Sequence, residues 1–138
     1  MPGKGNFLET LVLRQFFKGA QTWPSSGWLS LHSTTLVDSA DGTEISTVGS
    51  GYNRVSYAPG SANWTSLAAA SSASNSTVFN KAAVSWSSAT SSYTFAAVGY
   101  WNSSAAGELM YLSSVPVKVV EVGDIPTISS ADMKVTED

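Results

Sequence analysis

After Gly19 the chain never again shows the 3.6-residue apolar period of a helix. It shows short alternating runs, cut by glycine and proline: WLSLH at 28–32, TEIS at 43–46, RVSY at 54–57, VFNK at 78–81, AVSW at 83–86, YTFAAVGYW at 93–101, ELMYLS at 108–113, VKVVEV at 117–122, IPTI at 125–128 and MKV at 133–135. Pro24 and Gly27, the polar loop 36–42, Pro59-Gly60, residues 102–107 and Gly123-Asp124 separate them. Turn signals spaced roughly 8–12 residues apart are the pattern of a sandwich or barrel. The expected fold is all-β, a mainly antiparallel β-sandwich of jelly-roll-like kind over 27–135, with one N-terminal α-helix over 6–19, in a single domain 1–138. No heptad, collagen-like period or other repeat is present, so no fibrous shaft is encoded.

The helix is read from NFLETLVLRQFFKG. Asn6 can cap it, with Glu9 at capping-box spacing. Leu8, Leu11, Val12 and Phe16 form an apolar stripe, Arg14 and Lys18 lie where the helix dipole favours cations, and Gly19 supplies a stop. Phe7, Leu13 and Phe17 make the helix apolar on more than one side. That leaves two readings: packing against the protein's own sheet, or docking onto a partner subunit.

Charge is scarce. Asp, Glu, Lys and Arg make up 12% of residues, against a typical ~25%. Between 55 and 107 the one charged residue is Lys81, in a stretch filled with Ser, Thr, Ala and Asn. Such composition can mean disorder, but Trp64, Phe79, Trp86, Tyr93, Phe95, Tyr100 and Trp101 lie inside it and can bury enough area to order the chain. An uncharged hydroxyl-rich surface suits an antiparallel sheet facing water, and equally a surface covered by neighbours in an assembly. The net charge is −3 and the basic residues are scattered, so no nucleic-acid partner is expected. No apolar run approaches the ~18 residues of a membrane span, and Glu9 and Arg14 interrupt the first apolar segment, so neither a membrane partner nor a secretory leader is expected. The chain has no cysteine, which excludes disulfides, zinc-thiolate sites and cysteine nucleophiles. The acidic tail 136–138 is expected to fray.

Chemistry finds little to build on. His32 is the one histidine, and no Gly-x-Ser-x-Gly elbow accompanies it. Asp38, Asp41 and Glu44 lack the alternate spacing and distal Glu of an EF-hand loop. The other acids fall at turns and the tail rather than as a pair across a cleft. Three Asn-x-Ser/Thr sequons, at Asn63, Asn75 and Asn102, are what chance gives a Ser/Thr-rich chain. The stretch DGTEISTVGSGYNRVSY (41–57) offers Gly49-x-Gly51 beside Arg54. A phosphate loop needs its glycines between a strand and a helix N-terminus; here a strand pattern follows, so the glycines are read as supplying positive φ for a turn or bulge. No catalysis, cofactor or metal is expected.

In order along the chain stand NFLETLVLRQFFKG, GWLSLHST, DGTEISTVGSGYNRVSY, AAVSWSSATSSYTFAAVGYWNSSAAGELMYLSSV and KVVEVGDIPTI. This succession resembles small virion proteins of tailed bacteriophages, a group described both as head decoration proteins and as phage tail fibre proteins; the DGTE…GYNR block is its most specific part. The inserted Thr47-Val48 departs from the group's glycine run. The resemblance implies a structural virion component with no catalytic residues. The expectation drawn from it is a capsid decoration (cement) protein on the capsid surface, with the major capsid protein and copies of itself as partners. The alternative is a tail location, as an adaptor or fibre protein whose partners are tail proteins or a host surface glycan. The residues expected to dock are Phe7, Leu11, Phe16 and Phe17 on the helix, and Trp23 and Trp28 after it.

Overall fold

The computed structural model describes residues 3–19, 22–37, 39, 42–65 and 76–137. Asp38, Asp41, Asn75 and Asp138, singled out above, lie outside the described residues. In chain order the elements are β1 (Gly3–Lys4), α1 (Asn6–Lys18), β2 (Trp28–His32), β3 (Val55–Ser56), β4 (Ser76–Phe79), β5 (Val84–Ser85), β6 (Tyr93–Trp101), β7 (Leu109–Val120), β8 (Thr127–Ile128) and β9 (Lys134–Glu137). The architecture is all-β and antiparallel with one N-terminal helix, as the patterning implies. A five-stranded sheet in the order β1-β7-β6-β2-β3 forms one layer. Two ribbons, β4-β9 and β5-β8, supply the strands opposite it.

The β6–β7 hairpin is the spine, because an apolar nine-residue run can be covered on both faces. Alternation along β2 divides the core. Leu29 and Leu31 join Tyr100, Met110, Val84, Trp86 and the helix residues Leu8 and Leu11 in the main cluster. On the reverse face Trp101, Ala97, Leu36, Leu109 and Leu112 form a second cluster, with Trp28 packed against it. Leu36 therefore anchors what the sequence presents as a polar loop.

Four local expectations are corrected. First, α1 begins after Gly5, not with Asn6 as its cap, and no side-chain cap bond is made. The Gly5 N–H donates to the Met110 carbonyl at 2.7 Å, and a Cβ at this position would collide with the Leu109 carbonyl. The chain passes too close to β7 for a larger capping residue. Second, the segments 108–113 and 117–122 are not separate strands, for β7 runs unbroken through Pro116. Its register jumps from Ala97↔Ser114 to Phe95↔Lys118. Ala96 thus faces residues 115–117, and Pro116 sits in that bulge, where a missing N–H costs no ladder bond. Third, residues 43–46 contribute one bridge, His32↔Glu44, rather than a strand. Fourth, the chain end does not fray at 136–137: β9 pairs with β4 from Phe79↔Lys134 to Ser76↔Glu137.

Candidate functional site

Two places carry the functional question: the block 42–57 and the apolar faces of α1. The block is an interrupted edge strand. Residues 43–45 run beside the end of β2, with Ile45 N–H donating to the Leu31 carbonyl at 3.0 Å and Ser33 N–H to the Thr43 carbonyl at 2.8 Å. Residues 55–57 run beside its start, where Trp28 pairs with Ser56 and Leu29 with Val55. Residues 46–54 leave the sheet between them. Gly49 (φ +75°) and Gly51 (φ +74°) take the left-handed backbone this excursion requires. A Cβ on Gly51 would press on the Ser88 carbonyl at 2.7 Å, while Thr90 N–H donates to the Ser50 carbonyl at 2.8 Å. The glycines shape a turn that docks on residues 88–90, as the strand pattern after them implied.

The polar side chains of the block return to the sheet. The buried Tyr52 hydroxyl accepts the Leu31 N–H at 2.9 Å and donates to Glu44 Oε1 at 2.8 Å. It replaces the ladder partner that the excursion removed. Arg54 grips Glu44 with both prongs, Nε to Oε1 at 2.9 Å and Nη2 to Oε2 at 2.7 Å, the geometry of a strong carboxylate pair. Its Nη1 donates to the carbonyls of Ser103 and Ala106, at 3.0 and 2.8 Å, in the β6–β7 turn. The guanidinium lies 4.2 Å from the centre of the Trp101 ring. Trp101 Nε1 donates to Ser30 Oγ at 2.7 Å, and the same hydroxyl is hydrogen-bonded to His32 Nε2 at 2.8 Å. The His32 ring stacks on Trp101. Gly99 makes room, since a Cβ there would sit 2.7 Å from both Ser30 Oγ and Trp101 Nε1.

The electrostatics follow. Burial pushes the Glu44 carboxyl up, but hydrogen bonds from Arg54 and Tyr52 and the Arg54 charge outweigh it and hold the carboxyl below its ordinary value. Burial pushes the Tyr52 hydroxyl up. Burial also pulls His32 below its ordinary value, with Arg54 adding to the effect against an opposing pull from Glu44. Every functional group of Arg54 is spent inside the chain. The arginine that could have clamped a ligand is the pin of a structural latch joining the block to β2 and to the β6–β7 turn.

The helix shows the opposite economy. Leu11 is 7% exposed and sits with Leu8 in the main core, so it belongs to the protein's own packing. Phe7 is half-buried against the same cluster. Beyond Leu11 every residue of α1 is exposed. Phe16 and Phe17 are 81% and 73% exposed and touch edge to face, ring centres 5.0 Å apart. Val12 and Leu13 are exposed beside them. At about 100° per residue, Leu13 and Phe17 lie opposite the Leu8–Leu11 face, while Val12 and Phe16 continue the Leu8 row into the exposed C-terminal half of the helix. The stripe read as continuous from Leu8 to Phe16 is thus covered over its first turns and bare beyond Leu11. Of the remaining docking residues, Trp23 is 46% exposed, while Trp28 is half-buried on the second cluster.

Sequence reading missed two surfaces. One is an apolar groove of about 1010 Å³ between the five-stranded sheet and the ribbons, with Leu8, Trp23, Trp64 and Met110 among its walls. The other is the end of β7 and the turn after it, where Val117, Val119, Val122 and Ile125 are exposed. The alternation of Val with charge over 117–122 signalled a strand with one wet face; exposure of the valines themselves had no signal in it.

Among the described residues no group of three or more His, Asp or Glu is placed to hold a metal ion. The family described as Podophage GP4 fiber I protein gp80 matches residues 3–136 of the chain. A search of curated proteins finds no match.

Proposed function

The chain belongs to the Podophage GP4 fiber I protein gp80 family, and from that premise we propose that it is a non-enzymatic structural subunit of the fibre apparatus of a tailed phage, seated on its neighbours through the bare half of α1. The observation that carries this reading is the family match over nearly the whole chain, in a family described as fibre protein. The helix supports the mode of seating: Phe16 and Phe17 are too exposed to serve the chain's own core, and paired aromatics are strong anchors at interfaces. The non-catalytic reading is supported by His32, which is buried, bonded to Ser30 and stacked on Trp101, out of reach of a substrate.

A shell-coating role is the second reading, favoured by the compact β unit, which carries no shaft-like segment among its described residues. A sugar-reading tip has less support. Trp86 and Trp101 are buried and Trp28 and Trp64 half-buried, which leaves Trp23 as the exposed indole. The test is copy number in purified particles, by quantitative mass spectrometry against the major capsid protein. The fibre reading expects a ratio far below that of the shell. A ratio near one to one would replace it with decoration, and absence from the particle would overturn both.

A further inference from the structure

The groove and the turn at 121–125 fit each other in chemistry, and we propose that the groove of one copy receives this turn from a second copy. Three of the chain's seven basic residues, Lys4, Lys118 and Lys134, line the groove, with Asp132 as the one acidic lining residue among the described residues. An apolar trough with a basic rim, on a protein of net charge −3, calls for an occupant that is apolar and acidic together. A hole of this size exceeds the voids of a packed interior and lies at the upper end of the range of binding sites.

Among the described residues the exposed large apolar side chains fall mainly in two places, α1 and the stretch 117–125. Charge separates them. The bare half of α1 carries Arg14 and Lys18, which would meet lysines of like sign. The turn carries Glu121 and Asp124 around Val122 and Ile125, which are 65% and 57% exposed. It is also preformed. Asp124 N–H donates to the Glu121 carbonyl at 3.0 Å, Gly123 N–H to the Ala89 carbonyl at 2.8 Å and Ala89 N–H to the Asp124 carbonyl at 2.9 Å. The Asp124 carboxylate accepts the Glu121 N–H at 3.0 Å, and Gly123 takes a φ of +94° to close the turn. A turn already held in shape loses little freedom on docking. The receiving walls are stiffened in the same way, for Pro24, Pro59, Pro116 and Pro126 all line the groove.

The turn does not fill its own groove, because its apolar side chains stand in solvent. Turn into groove joins unlike surfaces of two copies: exchanged reciprocally it closes a two-fold dimer, and otherwise it closes into a ring or extends as a filament according to its rotation. The inference rests on the virion reading for the presence of many copies. The two fail separately: particle composition tests the reading, and self-association of the purified chain tests the contact.

The experiment is sedimentation velocity on the full chain over a concentration series, at low and high salt, with thermal unfolding as the folding control. One variant reverses the rim, Lys118→Glu with Lys134→Glu. The other reverses the turn through Glu121→Lys, sparing Asp124 because its carboxylate holds the turn. The wild-type chain is expected to self-associate, less so at high salt. Each variant is expected to weaken association roughly tenfold or more with unchanged unfolding, and a one-to-one mixture of the two to recover mixed oligomers. Val122→Ser with Ile125→Ser should weaken it as well, at any salt. A wild-type chain that stays monomeric, variants that associate like wild type, or a rim that matters while the turn does not, would each overturn the proposal. The last result would hand the groove to another occupant, a partner protein or a small apolar ligand.

Discussion

The latch at 42–57 and the free half of α1 invert each other. The latch is made of groups that advertise a binding site: an arginine, a glutamate, a tyrosine and a glycine-rich turn. All of them are consumed within the chain, with Arg54 alone making bonds to Glu44, Ser103 and Ala106. The helix is made of groups that advertise a core, and its phenylalanines are left in solvent. Residue type therefore misleads in both directions, and what discriminates is satisfaction. A polar group with all its partners in place is architecture, whereas exposed apolar groups gathered in one patch mark a candidate interface.

The sharpest way to break this comparison is to remove the pin. Arg54→Ala leaves Glu44 without its counter-charge and frees the β6–β7 turn. Breaking a well-buried pair costs about 3–5 kcal/mol; Glu44 is partly solvated, so a loss of about 3 kcal/mol in urea unfolding is expected. A loss under 1 kcal/mol would mean that the arginine is held in reserve for a ligand after all. Tyr52→Phe comes next. It strands the Leu31 N–H inside the sheet and takes one bond from Glu44, for about 2 kcal/mol. The same urea titration reads it, and an unchanged midpoint would show that the hydroxyl is not the stand-in for the missing ladder partner.

The latch also gives stability a pH dependence. His32 in the folded chain sits below its ordinary value of 6.5, so the unfolded chain takes up the proton first. Stability is therefore fully present above about 6.5 and falls as pH drops from there towards the folded value. Glu44, held below its ordinary 4.5, adds a second decline as pH falls through and below that value. Denaturation midpoints between pH 8 and 4 should fall in these two stages, and His32→Gln should remove the upper stage alone. A midpoint flat across pH 5–7 would place His32 in contact with water instead.

How much of this was open to a reader of the sequence depends on the range of the cause. The bounds of β2 and β6 follow from alternation and from one long apolar run, both local. The helix is also local, but which of its turns are covered is not. Leu8 and Phe16 look alike until β7 is placed beside one and not the other. Gly5 as the helix start needed the approach of Leu109, and the unbroken β7 needed the bulge that accommodates Pro116. Within the latch, Glu44 and Arg54 flank a glycine turn, and that spacing is a readable hint of a pair. The contributions of Ser30, Trp101, Ser103 and Ala106 come from strands and turns distant in sequence, which no local pattern announces.

The smallest expected effect on folding is the most informative about function. Phe16→Ser with Phe17→Ser removes two rings that the folded chain leaves 81% and 73% exposed, so stability should change by less than about 0.5 kcal/mol. If the same rings are buried on docking, each contributes roughly 1.5–3 kcal/mol of transfer free energy there, and their loss multiplies over every copy in the particle. The double variant should fold like wild type yet vanish from purified particles. A destabilisation above 1 kcal/mol would return the face to the chain's own packing and erase the contrast with the latch. Normal folding with normal incorporation would leave the contrast standing but move the anchor from α1 to the groove, another large apolar surface among the described residues.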